Sequence, residues 1–326
     1  MAIIPQEKNK LTCKNDTQVV VRARFVIFAS LAFCALASSP AAGYVRTTTE
    51  SSGVPVQWNE KCIVVTIDQR GSKDVSLNEI ATTLGRAVTN WTSRTNTCGG
   101  LSLSRVPAYK VLDVAADGLP AVIFRNDMWQ RPGHAPHDPS AIGLTTVMYV
   151  NTPGLPGDGT ILDADIELNN VNYTFTTDPD NATARPGTQL ADLENTLTHE
   201  LGHVQGLAHT CWDHLTPQPP LDNTGTPIPD CNDPNLPPSI TSTTMFPYAS
   251  MPGETSKRNL SPDDVTGVCD VYQPLMGKLG CYPEIDGGSC SATPTRHQSR
   301  APVAAVALAL AATALAMARR RRCSRS

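Results

Sequence analysis

An α/β architecture is predicted for this chain of 326 residues by three observations. Short runs rich in β-branched residues are interleaved with amphipathic helical patterns. About 250 residues lie between two apolar ends, enough for one large domain or two lobes around a cleft. A dense group of histidines falls where the second helical stripe stops.

Cys62 to Asp68 reads CIVVTID, a strand by composition. Ser76 and Glu79 have the spacing of a capping box, and Ile80, Leu84, Val88 and Trp91 follow at helical spacing, so 77 to 94 is an amphipathic helix. Leu101, Leu103 and Val106 belong to a second strand, and Ala121 to Phe124 and Thr145 to Val150 are two more. Strand, helix, strand and then further strands predict a mostly parallel sheet. In Ile161 to Leu168, Ala164, Ile166 and Leu168 share one face while Asp163, Asp165 and Glu167 share the other. The carboxylate face is solvated by default. With Asp158 in the turn PGDG it also offers a set of hard oxygen ligands for Ca2+.

His134 and His137 read as exposed histidines of a Pro-rich loop, with a second metal as the rarer alternative. From Gln189 onward, Leu190, Leu193, Leu197, Leu201 and Val204 make the stripe of a second helix. Eight prolines between Pro217 and Pro238 exclude regular structure there. Ser261 as N-cap, Pro262 and the acidic pair Asp263 and Asp264 then start a third helix that runs to about Tyr272.

Both ends read as targeting segments. Arg22 and Arg24 precede the apolar run Phe25 to Ala37 and small residues through Gly43, so 1–43 is a signal region cut between Ala37 and Tyr44. Residues 1–20 exceed what such a leader needs and fit a start codon assigned too early. Ala301 to Ala318 is apolar and precedes Arg319 to Arg322. As a helix it spans about 27 Å, close to a bilayer core, and the arginines favour a cytoplasmic C-terminus. Residues 286–300 form a polar spacer that contains Cys290. Spacer, span and arginines together resemble the C-terminal sorting tails of myxobacterial surface proteins. That resemblance implies display at the cell surface, membrane attachment until processing, and processing near Cys290.

From Tyr44 to Cys290 there are 14 Lys and Arg against 28 Asp and Glu. Such a surface repels nucleic acid. Setting Cys290 aside leaves six cysteines in the exported region, and in an oxidising compartment these pair. The nearest-neighbour scheme is Cys62–Cys98, Cys211–Cys231 and Cys269–Cys281, one of fifteen connectivities.

The stretch His199 to His209, HELGHVQGLAH, carries the chemistry. On a helix, His199 and His203 lie one turn apart on one face, and Gly206 lets the chain turn so that His209 returns as a third ligand. Three imidazoles with one open position suit catalytic Zn2+, and Glu200 beside the first ligand suits a general base. A lone histidine pair would more often be structural; the fixed offsets of Glu200, Gly206 and His209 argue against that reading.

These residues, with Met245 downstream, resemble the metzincin metallopeptidases and their methionine turn. Pro247 and the segment LSPDDVTGVCDVY from Leu260 resemble the matrixin branch. The resemblance implies a metallopeptidase domain over 44–285, with an α/β N-terminal lobe of twisted mixed sheet and two helices, and an irregular C-terminal lobe with one helix. It implies one catalytic zinc in the cleft between the lobes and a substrate strand beside an edge strand near Ile161 to Leu168. Met245 would underlie the site, and Pro247 and Tyr248 would form a pocket wall. Departures are Thr210 where Ser is usual, Asp165 where a structural-zinc histidine is expected, and no prodomain cysteine switch. The implied function is a monomeric, exported endopeptidase acting on proteins or peptides. The alternative is a catalytically silent surface adhesion or binding protein on the same scaffold.

Overall fold

The computed structural model describes residues 43–98, 101–106 and 110–272. Residues 1–42 of the expected signal region 1–43, the spacer and the apolar span 301–318 lie outside these residues. Among the described residues no helix is long and apolar enough to cross a membrane.

The protein is a mixed α/β fold built on a five-stranded sheet. Strand β1 (Cys62–Ile67) pairs in parallel with β2 (Ser102–Arg105) and β3 (Ala121–Arg125), and β3 pairs in parallel with β5 (Ile161–Asn169). β4 (Gly143–Tyr149) runs antiparallel to β5 and closes the order β2-β1-β3-β5-β4. Two short strands, β6 (Tyr173–Thr176) and β7 (Gln189–Asp192), form a separate parallel pair. The helical stripe therefore starts later than its first leucine predicts. Leu190 is in β7, and Asp192 caps helix α2 (Leu193–Val204) by accepting from the Asn195 amide.

Helix α1 (Leu77–Thr95) has the capping box expected from Ser76 and Glu79. Its stripe of Ile80, Leu84, Val88 and Trp91 enters the main core with Leu193, Leu197, Leu201 and Val204 of α2. Trp91 also donates its indole N–H to the Thr198 carbonyl across 2.9 Å, so one side chain supplies both apolar area and a satisfied polar atom. A four-residue helix, α3 (Pro238–Thr241), starts at the last proline of the Pro-rich stretch, where a missing N–H costs nothing. α4 (Pro262–Val271) follows its Ser261 N-cap as expected.

Two expectations for Ile161 to Leu168 are corrected. This segment is an interior strand, paired on both sides, so the edge on its side of the sheet belongs to β4. Its carboxylate face is also buried: Asp163, Asp165 and Glu167 are at most 1% exposed. Asp163 accepts backbone N–H bonds from Asp117 and Gly118, and Asp165 from Ala115 and Ala121, so both pin the loop before β3. Glu167 is neutralised by Arg125 at 2.7 Å and Arg131 at 2.6 Å. Alternation in sequence separates two faces; it does not say which face meets water.

The carboxylates expected to hold calcium are engaged by the protein itself in this geometry. Asp158 holds Ser52 and the Thr152 amide, the other three carboxylates are committed as above, and the four do not gather into a cation site. A hard cation needs those lone pairs free.

The disulfides also differ from the nearest-neighbour scheme. Cys211–Cys231 is present, but Cys98 pairs with Cys269, 171 residues away. Cys62–Cys98 and Cys269–Cys281 are therefore excluded, and Cys62 is bonded elsewhere. Packing of α4 near the end of α1 decides the pairing, which sequence distance cannot show. Disulfides of this kind indicate an oxidising, extracellular-type environment.

Candidate metal centre

Helix α2 ends in a Schellman turn just after His203. Gly206 has φ +86°, its N–H returns to the His203 carbonyl, and the Leu207 N–H returns to the Gly202 carbonyl. A side chain at 206 would meet the left-handed backbone penalty and the Val56 carbonyl, 2.8 Å from an added Cβ. Further partners at this end are the indole N–H of Trp58, which donates to the Val204 carbonyl, and the Tyr272 hydroxyl, which donates to that of Gln205. The helix terminus is thus saturated, and the chain leaving it is directed back toward His203.

That reversal brings His209 to the pair on α2. The Nε2 atom of His209 lies 3.3 Å from Nε2 of His199 and 3.1 Å from Nε2 of His203. Each Nδ1 is committed to an acceptor that cannot donate: His199 to the Thr244 carbonyl at 2.6 Å, His203 to the Leu207 carbonyl at 2.9 Å, and His209 to Asp213 at 2.6 Å. Nδ1 therefore carries the proton in all three rings. Burial, first among the causes, holds His199 well below the usual histidine range and His203 down to about 3, so these rings are neutral.

Three lone pairs then face one another at contact distance, an arrangement that repels itself unless a cation sits among them. Tetrahedral coordination with bonds of about 2.0–2.1 Å places ligand nitrogens about 3.3–3.4 Å apart, close to the observed separations. Among the described residues, His199, His203 and His209 are a group able to hold a metal ion, with donor atoms all within 4.8 Å of one another. The donor set fits a borderline divalent ion such as zinc.

Glu200 is next to the first ligand, 4% exposed, and raised to about 7 by burial, which the Thr145 hydrogen bond and the Lys257 charge oppose. Thr145 of β4 donates to its Oε2 at 2.6 Å. Met245 is buried against Gly202, where any Cβ would overlap its sulfur. The bare helix position between the two α2 histidines is thus filled by the methionine. Thr210 ties His209 to this turn: its hydroxyl bonds that of Thr243 at 2.8 Å and its N–H reaches the Met245 carbonyl. Asp264 of α4 fixes the same turn by accepting from the Thr244 amide at 2.7 Å.

The other expected site residues are not part of that three-histidine group. Tyr248 is exposed and packs edge-on against Phe246, and Pro247 is half-buried beside it. Lys257 is buried under this segment and donates to the Phe246 and Tyr248 carbonyls. His137 lies edge-on to Trp129, and His134 is exposed; neither joins a metal group. His214, outside that group, bonds Asp230 at 2.9 Å. Sequence reasoning missed Thr145, Asp213 and Lys257. Asp213 follows His209 by four residues, a local signal, but nothing local marks the other two.

The chain matches no protein-family model and no curated protein.

Proposed function

We propose that the protein is an exported, zinc-dependent endopeptidase of the matrixin-like metzincin type. The observation that carries this reading is the convergence of three Nε2 lone pairs, with every Nδ1 committed, beside a buried glutamate. His199, His203 and His209 would hold the ion. When bound, zinc supplies a Lewis acid that acidifies a water and polarises a scissile carbonyl. Glu200 accepts the proton of the attacking water and returns it to the leaving amine. A carboxyl raised to about 7 suits both halves of that transfer near neutrality.

The free edge of β4 supports a peptide substrate, since its unpaired N–H and C=O groups can take an extended chain as an added strand. The methionine turn beneath the histidines supports the metzincin assignment. Pro247 and Tyr248, after that turn, are assigned to a pocket wall for a substrate side chain. The disulfides favour a protein that works outside the cytoplasm, in keeping with the leader and the sorting tail.

The test is cleavage of casein or gelatin by the zinc-loaded protein and by its Glu200→Ala variant. Cleavage that disappears in the variant supports the reading. One zinc per chain with no hydrolysis across a broad peptide library, after latency is excluded, would instead favour a silent binding protein. Unchanged cleavage by Glu200→Ala would remove Glu200 as the base.

A further inference from the structure

The free edge strand and the buried glutamate meet directly. Within β4, Gly143, Thr145 and Val147 alternate with Thr146 and Met148, so the first three share a face. Two of these three touch Glu200. The Thr145 hydroxyl donates to Oε2 at 2.6 Å, and Oε1 occupies the space that a Cβ at position 143 would fill. On the opposite face, the Thr146 hydroxyl accepts from Arg131, which is itself anchored to Glu167 on β5. The strand is therefore held on both sides, by the helix bearing Glu200 and by the neighbouring strand.

We infer that Thr145 is a positioning residue for Glu200, and that position 143 is bare so that the carboxylate can dock on the edge strand. The inference rests on the peptidase reading above and deepens it. Glu200 is almost fully buried, and Thr145 is the one side chain that hydrogen-bonds its carboxylate among the described residues. A carboxylate on a flexible side chain loses catalytic power when it samples several rotamers, because the proton it must accept is at one place. Thr145 removes that freedom. Because the hydroxyl is on the strand that would receive the peptide, the base and the scissile bond share one frame, and strand addition aligns both together. The outer edge of β4 takes the peptide backbone while its Thr145 hydroxyl, facing the buried carboxylate, holds the base.

Three variants of the full chain test this. Thr145→Val keeps the shape and removes the hydroxyl; kcat should fall about ten-fold to a hundred-fold, the range for one hydrogen bond to a charged group, with KM and zinc stoichiometry unchanged. Thr145→Ser keeps the hydroxyl and should return kcat to within about three-fold of wild type. In Gly143→Ala the three nearest atoms to the new Cβ all belong to the Glu200 side chain, so the variant should fold, bind zinc and lose kcat by a similar factor. The second readout does not use turnover. In zinc-free protein at one pH, the 13C resonance of the Glu200 carboxyl, assigned with Glu200→Gln, should move in Thr145→Val and return in Thr145→Ser. Wild-type kcat in Thr145→Val, equal losses in Val and Ser, or an unmoved resonance would overturn the inference. If wild-type protein cleaves no peptide, the peptidase reading fails by itself, and the resonance still decides whether Thr145 holds Glu200.

Discussion

His209 donates its Nδ1 proton to Asp213 across 2.6 Å, although both residues lie beyond the end of α2 and share no regular element with it. The other two histidines are oriented by backbone carbonyls, so His209 alone of the three depends on a side chain. Both partners of this pair are about one-fifth exposed. Asp213→Ala should therefore weaken zinc binding about 10–100-fold, the usual cost of losing a partner that orients a ligand. Competition with a fluorescent chelator measures it, and an unchanged affinity would show that the turn alone orients the ring.

Removing a ligand should act more severely. His203→Ala leaves two imidazoles, so zinc should be absent after dialysis and peptide cleavage lost. In wild-type protein, zinc at a hundred-fold excess over its dissociation constant should stabilise by about 2.7 kcal/mol, a rise in melting temperature of about 5–10 °C for a domain of this size. Calorimetry with and without chelator reads this directly. Equal melting temperatures would exclude the centre as a metal site.

The Cys98–Cys269 bridge ties the end of α1 to α4 across 171 residues of sequence. Non-reducing peptide mapping should recover that pair together with Cys211–Cys231. Cys269→Ser should cost about 2–5 kcal/mol, measured by urea denaturation, because so long a loop is closed by the bond. Recovery of a Cys62–Cys98 peptide would contradict the structure.

Asp263, at the start of α4, sets a pH dependence of stability. Burial, with Asp264 and Asp222 nearby, raises it to about 7, while the Tyr44 backbone opposes that shift. A carboxyl raised in the folded state favours folding while it is protonated. Its contribution is complete below about pH 4 and is lost as pH rises through about 7. Asp263→Asn resembles the protonated form throughout. It should leave the melting temperature near pH 4 almost unchanged and raise it at pH 8. A variant less stable at pH 8 than wild type would show that the ionised carboxylate is stabilising here.

The legibility of this chain follows range. Helix α1 was readable because a capping box and a 3.6-residue stripe are complete within twenty residues. The stripe of α2 was readable too, but its start was not, since Leu190 continues the apolar pattern while its backbone pairs with Thr174. β5 was recognisable as a strand. Its place in the sheet was hidden because Asp163, Asp165 and Glu167 look like a solvated face until the loop amides and arginines that meet them are known.

By itself the sequence determined the donor set and its local geometry: a helical pair of histidines, a glycine that reverses the chain, and a third histidine after it. Those relations need only helical periodicity and the φ that glycine tolerates. Tertiary structure alone decided that Thr244 fixes the tautomer of His199, that Cys98 meets Cys269, that β4 is the free edge, and that Thr145 reaches Glu200. The three contacts among these join residues 45 to 171 positions apart. Contacts at that range depend on how sheet and helices pack, which no local spacing encodes.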